Sequence, residues 1–405
     1  MNMTEKSKLN THLNVALLLC ATVATQGCAS AFTGPLGAGP QGDLASQKAT
    51  LVSKTLTDDP GVIVIGHRGA SGYLPEHTLE SYDLAVQQGA DFVEVDLVMD
   101  GDGALLARHE NNMIETTDAD IKFPNKKVTK LFEGVEQTGF FSEDFSSIEM
   151  AQLRAIQRLP FRGKSQNGKY KIPTFQQILD WHKAKEIEVG RPIGLYIELK
   201  HPTHHLSVHK DIVPKFIEAM AKSHLSAASD RVFVECFETK ALRDLKSAGT
   251  PYQLILLVDE PNAFPYDLVV AGKQKTYLDL MKEPGLKTVR EFAAGIGPAK
   301  KYFSKIESPF KDNKPDSEGR DGVESWVADV QEAGLKVHPH TFCNEPEFLI
   351  PDALGSVERE YRYFFALGVN GVFSDFPDTA IAARTDFVTA TAVKPNSAFE
   401  GIGED

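Results

Sequence analysis

From residue 62 to about residue 383 the chain alternates short, wholly apolar runs with longer amphipathic stretches. The run Val62-Ile63-Val64-Ile65 has no polar face, as expected of a strand buried on both sides in a parallel sheet. Further strand-like runs follow at 92–97, 104–108, 194–199, 231–235, 253–258, 336–338 and 371–374. Helical spacing fills gaps at 78–88, 175–185, 212–222, 240–248, 324–333 and 357–367, the first with Thr78 as N-cap and Gly89 as its stop. Eight strands with helical crossovers predict an α/β protein built as a (β/α)8 TIM barrel. A doubly wound open sheet is the rival, but no Gly-rich dinucleotide loop supports it. Two polar stretches break the rhythm. Residues 111–172 are expected as an insertion after the third strand, and 260–321 as an irregular excursion with helices inside it.

The chain ends differ from the body. Lys6 and Lys8 precede an apolar segment at 15–24 that is too short to span a bilayer, which predicts a signal peptide over 1–27. Gly27-Cys28-Ala29 resembles a bacterial lipoprotein processing site, although Thr25 and Gln26 depart from the usual residues before it. The expected location is therefore the periplasm or outer membrane of a bacterium, with a lipid anchor at Cys28 as the one membrane contact. Residues 28–58 are expected as a flexible linker, 59–384 as the barrel domain, and 385–405 as a loose tail. Of four cysteines, Cys236 and Cys343 fall in the body and are expected as separate thiols. Lys plus Arg number 43 against 56 Asp plus Glu, for a net charge of −13, which argues against nucleic-acid binding. A small anionic substrate remains open, because local cations can dominate a pocket.

Candidate chemistry gathers between Gly66 and His109, at the ends of three strand-like runs. Strand alternation turns Glu94 and Asp96 to one face with Phe92, and Val93, Val95 and Leu97 to the other. The same rule puts Glu198 and Lys200 together. Glu94, Asp96 and Glu198 would form an all-oxygen site suited to Mg²⁺ or Ca²⁺; alternatively the acids pair with Arg68 or Lys200. His67 and His109 each end an apolar run, where a pair of imidazoles can act as opposed acid and base. Arg68 adds a planar fork suited to phosphate oxygens. His201, His204, His205 and His209 lack a carboxylate or cysteine at zinc-site spacing and are expected in a solvated or substrate-facing loop.

Gly66-His67-Arg68-Gly69-Ala70, Pro75-Glu76-His77-Thr78, Glu94-x-Asp96, His109, Glu198-x-Lys200 and Ser374-Asp375-Phe376-Pro377 occur in this order. The set resembles the glycerophosphodiester phosphodiesterases, and most of all their exported bacterial branch. The resemblance implies a TIM barrel with a lid-like insertion. It implies His67 and His109 as acid/base pair, one divalent cation (Ca²⁺ or Mg²⁺) on Glu94, Asp96 and Glu198, and Arg68 and Lys200 on the substrate phosphate. One departure is Glu110, where many members carry Asp; it bears on loop contacts and substrate preference. The expected reaction is metal-dependent hydrolysis of glycerophosphodiesters to glycerol 3-phosphate and an alcohol. The alternatives are a phospholipase D- or C-like hydrolase of lysophospholipids, with Phe140-Phe141 and Phe264 as hints of an apolar rim, or a surface lipoprotein that mainly binds a partner. Oligomeric state is unknown from sequence.

Overall fold

The computed structural model describes residues 61–392 apart from 229 and 315. The expected leader, the linker, Cys28 and residues 393–405 lie outside the described residues. The strands are β1 (Ile63–Gly66), β2 (Phe92–Met99), β3 (Leu105–Ala107), β4 (Val128–Phe132), β5 (Val135–Gly139), β6 (Gly194–Leu199), β7 (Val232–Cys236), β8 (Gln253–Val258), β9 (Gly295–Pro298), β10 (Lys336–Val337) and β11 (Gly371–Ser374). Eight of them run in the order β10-β9-β8-β7-β6-β2-β1-β11, all parallel. Main-chain bonds close the remaining seam. Asn370 N–H donates to Val337 O at 2.8 Å, and Phe342 N–H to Phe373 O at 2.8 Å. The result is the predicted (β/α)8 barrel.

Two strands differ from expectation. The apolar run at 104–108 is β3, which folds back antiparallel on β2 with Val98 opposite Leu106 and takes no place in the barrel. The place is filled by β9, Gly-Ile-Gly-Pro, inside the stretch expected to be irregular. The insertion therefore sits between the second and third barrel strands. It carries the β4–β5 hairpin and a core of its own, in which Met113, Phe140, Phe145, Leu153 and Ile172 pack on Val98 and Leu106. The tail also differs: one helix runs from Pro377 to Ala392, through the first part of the segment expected to be loose. Phe387 holds it against Phe365, and Arg384 Nη1 donates to Val62 O at 2.9 Å.

Both faces of the barrel strands are apolar, as a doubly covered parallel sheet requires. Val64, Val93, Val95, Leu195, Ile197 and Val234 pack outward under the helices. Ile65, Phe92, Tyr196, Phe233, Ile255 and Phe373 fill the interior. Tyr196 stacks on Phe233 at 4.8 Å, and the Tyr196 hydroxyl meets His338 Nδ1 at 2.8 Å. This layer is the floor under the mouth, and Gly194 makes room for it: a Cβ there would lie 2.0 Å from Phe92 Cδ1. Cys236 and Cys343 are separate buried thiols, as expected. Among the described residues no helix is long and apolar enough to cross a membrane.

Overpacking this layer forces the aromatic floor to move. Gly194→Ala should lower stability by about 1–3 kcal/mol, read as a lower denaturant midpoint with an unchanged slope. An unchanged midpoint would show that the layer yields freely.

Candidate active site

The strand register stacks acids at the mouth. Asp96 lies opposite Glu198, and Glu198 opposite Glu235. With Glu94 they make four buried carboxyls. Burial and the neighbouring Asp96 push Glu94 well above the carboxylate range. Burial, only partly offset by Lys200, pushes Glu198 up to about 7. Glu235 is also driven well up by burial and by Glu94, and neither of its oxygens has a partner. Asp96 is the exception: burial works against its charge, but His77 and Arg68 hold it well below the usual range. His77 Nε2 meets Asp96 Oδ2 at 2.8 Å, while buried Asp96 Oδ1 is left unpartnered.

The turn after β1 wraps around these acids. Arg68 and His77 take left-handed backbone angles, φ 57° and 54°, which cost a non-glycine residue about 1–2 kcal/mol. Local bonds hold them there. Arg68 N–H donates to Glu94 Oε2 at 2.7 Å, its Nη1 to Glu76 Oε1 at 3.1 Å, and its Nε lies 3.7 Å from Asp96. Arg108 is wholly buried and donates to the Glu76, His77 and Thr116 carbonyls, fixing the same turn.

Both predicted histidines stand on carboxylates. His67 Nδ1 lies 2.5 Å from Asp375 Oδ1, leaving Nε2 facing Glu94 at 3.8 Å and Thr341 at 3.5 Å. Asp375 also accepts from Ser71 Oγ at 2.8 Å and Arg162 Nη2 at 2.6 Å. Burial opposes its charge, yet His67 and Arg162 hold it far below the carboxylate range. His109 Nδ1 meets Glu110 Oε1 at 2.9 Å, and its Nε2 lies 3.4 Å from Lys200 Nζ. Burial, Arg68 and Lys200 push His109 down to about 3. Lys200 in turn pairs with Glu198 at 3.0 Å.

Sequence reasoning gave Asp375 and Arg162 no role. Asp375 stood in a quoted motif, but its pairing with His67 spans 308 residues, and nothing local signals it. Glu110, read there as a matter of loop contacts, is the carboxylate that orients His109. The histidine run divides: His201 lines the cavity and His209 is exposed, within the solvated or substrate-facing expectation, but two of its members are not. His204 and His205 are buried in a short helix, Pro202–Ser207, where His204 meets Glu143 of the insertion at 3.1 Å. His201 bridges Glu133 at 2.8 Å and Glu110 at 3.0 Å. Phe140 and Phe141 are buried too, which removes one expected hint of an apolar rim.

A cavity of about 380 Å³ opens beside His109, Glu198 and Lys200. Phe237, Phe264, Tyr266 and Tyr277 supply its aromatic wall, and Glu110, Glu133, Glu238 and Asp259 its acids. His67 is not on its lining.

A divalent cation fits the donor set at the mouth. Four carboxyls face two fixed cations, Arg68 and Lys200, and a buried oxygen of Asp96 has no partner. The donor atoms that converge within 4.8 Å belong to Asp96, Glu198 and His109. Glu94 lies to one side, with Oε2 bonded to the Arg68 amide.

The chain matches the glycerophosphoryl diester phosphodiesterase family over residues 67–379. It is 31% identical over 330 residues to glycerophosphodiester phosphodiesterase GDPD6 of Arabidopsis thaliana, covering 77% of this chain and 83% of that protein. A glycerophosphodiester phosphodiesterase of Haemophilus influenzae is 28% identical over 364 residues, covering 85% and 95%. Its fold is shared with a phosphodiesterase of Oleispira antarctica solved in complex with the product sn-glycerol-3-phosphate. That structure aligns at TM-score 0.52 and 20% identity over 80% of this chain and 96% of the other.

His201 ties the mouth to pH. Burial works against its charge, but Glu110 and Glu133 outweigh burial and raise it from 6.5 to about 9. The folded pKa is raised, so its stabilisation is complete below about pH 6.5 and is lost as pH rises through about 9. Wild type should therefore lose on the order of 2 kcal/mol more than His201→Asn across that window. Thermal melts at stepped pH read the difference; parallel profiles would rule the ion cluster out.

Proposed function

The chain belongs to the glycerophosphoryl diester phosphodiesterase family and is a phosphodiesterase; from that premise we propose metal-dependent hydrolysis of glycerophosphodiesters by paired histidines. The products are glycerol 3-phosphate and an alcohol. One observation carries the reading: two imidazoles, each held through Nδ1 by a carboxylate, flank one cluster of buried acids.

Asp96 and Glu198 converge and would hold the cation, with Glu94 reaching it from one side; carboxylate oxygens suit Ca²⁺ or Mg²⁺. Once bound, the ion supplies a Lewis acid that polarises the phosphate and lowers the pKa of a glycerol hydroxyl. Arg68 and Lys200 supply the remaining positive charge for the phosphate oxygens. His67 Nε2 takes the proton of the glycerol hydroxyl as it attacks phosphorus, and the Asp375 carboxylate stabilises the imidazolium that forms. His109 lines the cavity where the leaving alcohol would sit, so it donates the proton to the departing oxygen. Burial, Arg68 and Lys200 disfavour that proton, and the phosphodiester's negative charge works against them. The new P–O bond forms as the P–O bond to the alcohol breaks, leaving a cyclic glycerophosphate that water then opens to glycerol 3-phosphate with the two roles reversed.

The cavity supports a cationic alcohol, choline or ethanolamine. Aromatic faces attract ammonium groups, and Asp259 adds an acid beyond the pair that neutralises His201, while burial pushes Glu238 up to about 7. The leader supports export to the periplasm or outer membrane, with Cys28 as lipid anchor.

Coupled release of glycerol 3-phosphate tests cation and alcohol together. Glycerophosphocholine and glycerophosphoethanolamine should exceed glycerophosphoglycerol by about tenfold in kcat/KM, a difference of roughly 1.4 kcal/mol, and a chelator should abolish all three. Undiminished turnover in chelator would overturn the metal site, and equal rates the alcohol pocket. Asp375→Asn keeps the shape but not the charge behind His67. It should lower kcat by roughly 10³–10⁴-fold with KM little changed; a loss under threefold would remove His67 as the base.

A further inference from the structure

A second cluster of metal-ligating side chains lies at the opposite end of the barrel. His182 and Glu186 sit one turn apart on the helix Phe175–Val189, and His224 approaches from the segment after the helix Ile212–Ala221. His182 Nδ1 and His224 Nε2 are 2.9 Å apart. Glu186 Oε2 lies 3.8 Å from the first and 3.9 Å from the second. Ligands at about 2.0–2.1 Å around a tetrahedral zinc ion stand roughly 3.3 Å from one another, so small side-chain shifts would admit the ion.

The atoms behind this triangle are already committed. His182 Nε2 donates to Ile193 O at 2.8 Å, which puts the ring proton there and leaves Nδ1 as an acceptor, taking a hydrogen bond from His224 Nε2–H that a metal ion would replace by releasing that proton. Ile193 N–H donates to Glu186 Oε1 at 3.0 Å, and Arg231 Nη1 bonds the same oxygen. One residue's peptide groups thus orient two of the three donors, and Glu186 Oε2 is left facing the imidazoles. Metal-ligating histidines are held in this way, by a carbonyl on the second ring nitrogen. His182 is fully buried, whereas the His224 side chain is 21% exposed and gives an entry path.

We propose that His182, Glu186 and His224 form a structural Zn²⁺ site, with water in the fourth position. Two imidazoles and one carboxylate select a borderline ion such as Zn²⁺ over the Ca²⁺ or Mg²⁺ suited to the oxygen donors of the mouth. Its place fits a stabilising role. Ile193 precedes β6 and Arg231 precedes β7, so the site clips a helix and His224 to the N-terminal ends of two barrel strands. That is the face of such barrels that serves stability rather than catalysis.

The test is calorimetric titration of Zn²⁺ into chelator-stripped protein in excess Ca²⁺, for wild type and His224→Ala. Wild type should bind one equivalent more than the variant, with Kd below about 1 μM. Zn²⁺ should also raise the Tm of wild type by several degrees and leave that of His224→Ala unchanged. X-ray absorption of the bound zinc should show two imidazoles. Equal stoichiometry and affinity in both proteins, or equal Tm shifts, would overturn the site. Zinc taken up at the mouth would appear in both and cancel.

Discussion

Four carboxyls buried at one mouth set the terms for the rest of this structure. Glu94, Asp96, Glu198 and Glu235 project from neighbouring strands over an aromatic floor that offers no hydrogen bonds to spare. Like charges so placed stay ionised only if positive charge is brought to them. The chain accepts a left-handed backbone at Arg68 and His77 to deliver a guanidinium, an amide N–H and an imidazole to Glu94 and Asp96. Lys200 does the same for Glu198. These donors leave one Asp96 oxygen and both Glu235 oxygens without partners. That shortfall of positive charge is the observation behind the cation proposed for the mouth.

The same mouth couples barrel closure to the geometry of the candidate site. β11 pairs with β1, and the residue after each strand, Asp375 and His67, forms the first dyad. Arg162 comes from the insertion, crosses to Asp375 and also grips Glu345 at 2.7 Å. The insertion is thus bolted to the last strand on one side, and through Glu133 and Glu143 to the loop after β6 on the other. It supplies Arg162, which joins His67 in keeping Asp375 charged, and Glu133, which helps position His201.

What the sequence disclosed follows the range of each interaction. Alternation alone separated the two faces of β2 and β6, because a strand's period is set by its own backbone. The exchange of β3 for β9 could not be read this way. Leu105-Leu106-Ala107 is as apolar as a barrel strand, but its partner is the preceding strand through a tight turn. Gly295-Ile296-Gly297-Pro298 carries two glycines and a proline, weak strand signals. Yet a Cβ at Gly295 would meet Ile255 and Lys336 at 2.8 Å, so the glycines are what let β9 fit between its neighbours. His67, His109, Glu94, Asp96 and Glu198 were legible as residue types at strand ends. Asp375 and Arg162 were not, because their roles exist only after closure. The burial of His204 and His205 was hidden for the same reason: it depends on where the insertion lands.

The two dyads pair an imidazole with a carboxylate alike but differ in burial, which bears on the division of labour proposed for them. Asp375 is 3% exposed and held by Ser71, Arg162 and the Cys343 thiol as well as His67. An imidazole on so rigid and so acidic a partner keeps one tautomer and one orientation, as a base facing a fixed hydroxyl requires. Glu110 has a side chain 43% exposed, and its second partner is His201, whose charge depends on pH. In the division of labour proposed above, the more buried dyad would face the glycerol hydroxyl common to these substrates, and the more exposed one the alcohol that varies among them.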